Sequence, residues 1–186
     1  MRGYSHLETL FPNEPIPWFL LYVKDRDLWN KSLAGCDAMH EVISRLGKSF
    51  DLYDQLLAWD GLDTDTLNTK ILTLAELGDV LLAPKKREIK EIAQFAVLST
   101  FLGHENVAVI PLDTDGTQDR LTSDICEYLY TEVFPDCLFV ACQTSEGTWS
   151  LRSNKNNPDG GFNVGALAKT QGGGGHNCAA GFKPTR

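Results

Sequence analysis

Four consecutive glycines, Gly172-Gly173-Gly174-Gly175, followed by His176, place the tightest constraint on this sequence. Each glycine in an ordered element costs up to about 1 kcal/mol relative to alanine, so such a run needs a use. A backbone without side chains can approach a ligand closely and turn successive N–H groups toward one anion, and His176 adds a hydrogen bond or, when protonated, a charge. From the glycines alone, a flexible loop or a tight turn is the plainer reading. Two neighbouring features favour a positioned loop instead. A helix expected over Val164–Thr170 has Asn163 at its N-cap and Gly172 just past its end, and Ala179-Ala180-Gly181 permit close packing beneath the loop. Upstream, Trp149-Ser150-Leu151-Arg152-Ser153 alternates in strand register, turning Ser150 and Arg152 away from the face shared by Trp149, Leu151 and Ser153. A guanidinium freed from the core in this way suits bidentate phosphate recognition.

The formal net charge of -8 argues against a protein that coats nucleic acid through bulk electrostatics. From residue 151 onward, however, five basic residues (Arg152, Lys155, Lys169, Lys183, Arg186) stand against the single acid Asp159, which fits a confined anion site. The five cysteines, Cys36, Cys126, Cys137, Cys142 and Cys178, include no CxxC pair and read as reduced, mostly buried thiols. Neither they nor the four histidines have the spacing of a zinc site. No apolar stretch reaches the roughly 20 residues of a membrane span, and the N-terminus lacks the apolar segment of a signal peptide. The expectation is a cytoplasmic protein without membrane contact.

Further upstream, Trp18-Phe19-Leu20-Leu21-Tyr22-Val23 is a short apolar run between Pro17 and Lys24-Asp25, the pattern of a buried strand in a parallel sheet. About 17 residues precede it, too few for a sheet around it, so it pairs with the C-terminal half or the rest of its domain is missing. From Asp37 to Glu105 apolar residues recur at helical spacing, as in Val42, Ile43 and Leu46 or Leu67, Ile71, Leu74 and Leu77. Asp63 or Asp65 supplies an N-cap for the long member, Pro84 is expected to end or kink it, and a second stripe follows at Ile89, Ile92, Ala93 and Val97. After Gly103 the pattern becomes strand 107–112, helix 121–133, strands 137–143 and 148–153, then the helix and glycine run already described. Asp113-Thr114-Asp115-Gly116 lacks the later ligands of a calcium loop and reads as a turn. The expected fold is α/β: a remnant buried strand of a preceding parallel-sheet domain within 1–36, a helical linker region over 37–105, and a small mixed-sheet α/β domain over 106–186.

Leu151-Arg152-Ser153, then Phe162-Asn163-Val164-Gly165-Ala166-Leu167-Ala168, then Gly172 through the string Gly175-His176-Asn177-Cys178-Ala179-Ala180-Gly181-Phe182 carry a recognisable order and spacing. Together they resemble the C-terminal domain associated with DHH phosphoesterases, the superfamily of RecJ-type exonucleases and nano-RNases. The resemblance implies that Arg152, His176 and Gly172, Gly173, Gly174 and Gly175, with Ser153 less directly, hold the phosphate and nucleoside end of a nucleotide or short single-stranded nucleic acid. Likewise, Pro12 to Trp18 and the segment Leu21-Tyr22-Val23-Lys24-Asp25-Arg26-Asp27-Leu28-Trp29 resemble the last helix-to-strand passage of the DHH domain. That likeness makes 1–36 a remnant of the domain and Asp25 the match to a metal-binding aspartate at a strand end; a salt bridge through Arg26 is its alternative use.

The ordered series that builds the family's two-metal centre, an early Asp-x-Asp, a further aspartate and an Asp-His-His string, does not occur. One aspartate cannot hold two ions about 4 Å apart. The resemblance therefore implies manganese or magnesium for full-length relatives and no cofactor in this chain, which would be a truncated phosphohydrolase not catalytically competent alone. Two alternatives remain open: a stand-alone nucleic-acid-binding module like that appended to alanyl-tRNA synthetases, and a pseudoenzyme subunit. Homodimer formation through the 18–23 strand is a further expectation.

Overall fold

The computed structural model describes residues 16–47, 49–111, 116 and 118–184. It is α/β, with a helical region followed by a sheet domain. The chain divides into two compact units, Met1–Lys85 and Lys86–Arg186.

In the first unit, α1 (Trp18–Asp27), α2 (Cys36–Leu46), α3 (Phe50–Leu57) and most of α4 (Thr64–Ala93) enclose a core of Trp18, Phe19, Met39, Ile43 and Leu56. Residues 18–23 are therefore helix, not the strand their apolar run implies. A short apolar run does not by itself distinguish the two, and here the helical period decides: Trp18 and Phe19 are buried while Leu21 is 42% exposed. Pro17 sits at the N-cap position, Trp18 stacks on Trp59 with centroids 5.4 Å apart, and its Nε1–H donates to Leu56 O at 3.0 Å. The buried strand expected within 1–36 is thus a helix, and it offers no strand edge of the kind expected to pair two copies. Asp63 rather than Asp65 caps α4, accepting from Thr66 N–H at 3.0 Å and from its hydroxyl at 2.7 Å. Pro84 does not end the helix, which continues to Ala93. The ring removes one donor, whose acceptor is the carbonyl of Val80 on an exposed turn that water can reach.

The second unit is built on a six-stranded sheet with order β1-β2-β3-β4-β6-β5. Its elements are β1 (Val97–Phe101), β2 (His104–Pro111), α5 (Thr122–Tyr128), β3 (Val140–Gln143), β4 (Trp149–Arg152), α6 (Val164–Thr170), β5 (Gly174–His176) and β6 (Ala179–Phe182). A 3-10 turn at Asp119–Leu121 leads into α5 and a π turn at Leu129–Val133 continues it. β2 and β3 are parallel and the remaining pairs antiparallel. Val97 belongs to β1, opposite Val109, and not to the helical stripe its spacing after Ile92 and Ala93 indicates. Period-two alternation gives the sheet two apolar faces. One packs Ala108, Ile110, Val140 and Cys142 under Leu121, Ile125, Cys126 and Leu129, with Ile89, Ile92 and Ala93 of α4 completing it. The other packs Val107, Phe139, Ala141, Leu151, Ala180 and Phe182 under Val164, Leu167 and Ala168.

All five cysteines are free, four of them buried. Burial raises the Cys137 thiol to about 11, which leaves it unreactive at neutral pH. Among the described residues no helix is long and apolar enough to cross a membrane. The expected turn at residues 113–115 lies outside the described residues.

Candidate functional site

α5 covers only part of its face of the sheet. Leu151 enters the opposite core, so its neighbours Ser150 and Arg152 project to the α5 side. Registry carries this face across two more strands, because directly opposed residues project together. Arg152 lies opposite Ala179, and Ala179 opposite His176; Ser150 lies opposite Gly181, and Gly181 opposite Gly174. Alanine, serine and glycine leave the floor low. The result is an open cleft of about 570 Å³, within the range of about 300–1,000 Å³ usual for small-ligand sites. Its walls come from Asp119, Arg120, Thr122 and Ser123 on one side and the β3–β4 hairpin on another.

Arg152 is half-buried. Its Nη1 donates to Ser150 Oγ and Leu151 O, both at 2.9 Å, and more distantly to Ala180 O at 3.4 Å. Its Nη2 reaches Ser123 Oγ only at 3.5 Å, the limit of a hydrogen bond. Among the described residues no carboxylate pairs with it, so the guanidinium is anchored on one nitrogen and has donor capacity left on the other. Arg120, also in the wall, is held by Glu88 through two hydrogen bonds of 2.9 and 2.8 Å.

The four glycines do different things. Gly172, with φ +77°, donates to Lys169 O at 3.1 Å, and Gly173 donates to Ala168 O at 2.9 Å, the paired bonds that close α6. A Cβ on Gly173 would fall 2.2 Å from Gly181 O, and one on Gly175 would fall 2.5 Å from Ala180 Cα. Gly174 has no atom within 4 Å of an added Cβ, and it lines the cleft together with Gly175.

The structure thus brings Arg152, Gly174 and Gly175 together. Gly172 and Gly173 form the helix end instead. Ser153 is buried, its hydroxyl donating to Phe162 O at 2.7 Å, and does not line the cleft. His176 is exposed on β5, in the same cross-strand row as Arg152 but about 10 Å away across two strand spacings. Nothing in the local sequence marks Asp119, Ser123 or Glu146 as cleft residues. Asp119 meets its hydrogen-bond partner Ser145 across 26 residues, and only the Gly147 turn signals that a hairpin tip stands nearby.

Asp25 lies in the last turn of α1, not at a strand end. Its carboxylate accepts from Ser32 Oγ at 2.7 Å and from Leu33 N–H at 2.9 Å. Burial alone would raise the carboxyl, but these hydrogen bonds outweigh it and hold the group at about 2. A manganese or magnesium centre does not fit these residues: Asp25 is engaged by its own loop, and no three His, Cys, Asp or Glu among the described residues converge to hold an ion. Arg26, the alternative sequence partner of Asp25, pairs instead with Asp37 at 3.0 Å.

No family model matches the sequence, and no curated protein does. Among solved structures, the fold is similar to that of PggH, a pGpG-specific phosphodiesterase from Vibrio cholerae, with a TM-score of 0.54, 15% identity and 98% of this chain covered. The chain spans 66% of that protein's length. An uncharacterized protein from Helicobacter pylori G27 aligns over 97% of this chain and 58% of its own, at 15% identity and a TM-score of 0.36. At such identities the likeness to PggH is one of fold.

Proposed function

We propose that this chain is the substrate-binding portion of a DHH-type phosphoesterase, holding a nucleotide or short oligonucleotide in the cleft over β4, β6 and β5. The observation that carries the reading is Gly174. The fold accounts for its three glycine neighbours through a turn or a close contact, whereas Gly174 faces open space in the same cleft as Arg152. A bare backbone beside a partly satisfied guanidinium is what a phosphate needs in order to approach closely. The motif resemblance and the shared fold with a dinucleotide-cleaving enzyme support the same ligand class. Binding without hydrolysis follows from the absent metal-centre motifs, and it keeps a stand-alone nucleic-acid-binding module as the second reading, favoured by the engagement of Asp25 in its own loop.

Calorimetric titration of the full chain with a 5′-phosphorylated dinucleotide tests the reading. Wild type binds, and Arg152→Ala weakens binding by about tenfold or more, the effect of one charge-assisted contact. His176→Ala has a smaller effect. Affinity falls with salt along a shallow logarithmic slope of about -1, because only one or two phosphates are engaged. Manganese produces no turnover. Chelator-sensitive hydrolysis that survives repurification, or Arg152→Ala binding as well as wild type, contradicts the proposal.

A further inference from the structure

The cleft carries charge of both signs, separated along β4. Arg152 closes that strand at one end, and Glu146 sits exposed on the hairpin tip that precedes it at the other. The tip is a built turn. Asp119 accepts from Ser145 N–H at 3.1 Å and from its hydroxyl at 2.5 Å, while Gly147 N–H donates to Thr144 O at 2.9 Å and Thr144 N–H to Thr148 O at 2.8 Å. Asp119 is thereby committed to positioning the turn, and Glu146 is the carboxylate that the turn presents. At about 3.3 Å per residue, the Cα atoms of Glu146 and Arg152 are no more than about 20 Å apart, and both residues line the same cleft.

We infer that Glu146 reads the base of the bound nucleotide and selects guanine. The inference rests on the nucleotide reading of the cleft given above. An ionised carboxylate only accepts hydrogen bonds. Guanine presents two adjacent donors on its Watson–Crick edge, N1–H and the 2-amino group, which match the two carboxylate oxygens. Adenine and cytosine set one amino donor beside a ring acceptor that a carboxylate repels, and uracil sets one donor between two carbonyls. A cleft with a cation for the phosphate and a carboxylate for the base edge therefore complements a guanine nucleotide at both ends.

The test titrates the full chain with GMP, IMP, AMP and ribose 5-phosphate, using wild type, Glu146→Gln and Arg152→Ala. Wild type is expected to bind GMP about tenfold or more tighter than AMP, with IMP between them because it lacks the amino group. Glu146 is exposed at a turn tip, so its replacement does not threaten the fold, and Glu146→Gln narrows the GMP-to-AMP ratio to about twofold or less. Equal affinity for GMP and AMP in wild type, or an unchanged ratio in Glu146→Gln, overturns the guanine assignment while Arg152-dependent binding of the probes leaves the cleft reading standing. Loss of binding for every probe, or binding indifferent to Arg152→Ala, overturns both.

Discussion

An added Cβ on Gly175 would lie 2.5 Å from both Ala179 O and Ala180 Cα, and one on Gly173 would lie 2.5 Å from the Phe182 Cβ. Backbone and β-carbons cannot yield as a long side chain can. Gly173→Ala and Gly175→Ala should therefore each cost about 2 kcal/mol or more in urea unfolding, whereas Gly174→Ala should stay within about 0.5 kcal/mol of wild type. The sequence shows that the run needs a use, but the partners of Gly173 and Gly175 are brought up by β6, so which glycine serves the fold and which faces the cleft is not written locally. Arg152 was more legible, since alternation with Leu151 is enough to turn it out of the core. Asp25 carries a second residue-scale prediction. Its folded pKa of about 2 lies below the usual carboxylate value of 3.8, so its contribution to stability is full above the unfolded pKa and is lost as pH falls through about 2. Urea melts of wild type should lose stability between pH 4 and 2, and Asp25→Asn, destabilised at neutral pH by about 1–3 kcal/mol, should lose less over that window.

At the scale of elements, α6 and α1 contrast. α6 has its boundaries written in sequence: Asn163 accepts from Ala166 N–H at 2.9 Å at one end, and Gly172 closes the other. Asn163→Ala should cost about 1 kcal/mol, read as a shift of the urea midpoint at unchanged slope. α1 has no side-chain cap, and its six apolar residues fit either period, so its identity depends on what packs against it. Trp59, Leu56 and Met39 arrive from later elements. Trp18→Ala should cost about 3–5 kcal/mol through loss of the Trp59 stack and the Leu56 hydrogen bond, and amides 20–23 should exchange slowly in wild type as part of a packed helix. Fast exchange across 18–23 would instead fit an unpaired strand.

For the whole molecule, the α/β class and the order of helical region and sheet domain were readable because the change from helical to strand period is a local signal. The pairing of β1 with β2 was not, since residues 97–101 continue a helical spacing until β2 is present to receive them. Both cores of the second unit draw on residues from Ile89 onward, and one of them needs Ile89, Ile92, Ala93 and Ala96. A fragment covering 86–186 should melt cooperatively, while one covering 106–186, which omits β1 and those four side chains, should melt at clearly lower temperature or not cooperatively. The central claim, a nucleotide site over β4, β6 and β5, is tested most directly by titrating a 5′-phosphorylated dinucleotide into the isotope-labelled full chain and following its amide resonances. The account predicts shifts concentrated at Ser123, Ser150, Arg152, Gly174 and Gly181, and their collapse in Arg152→Ala and in Gly174→Ala, whose fold is intact. Shifts concentrated in α1 to α3, or an undiminished response in Gly174→Ala, would contradict it.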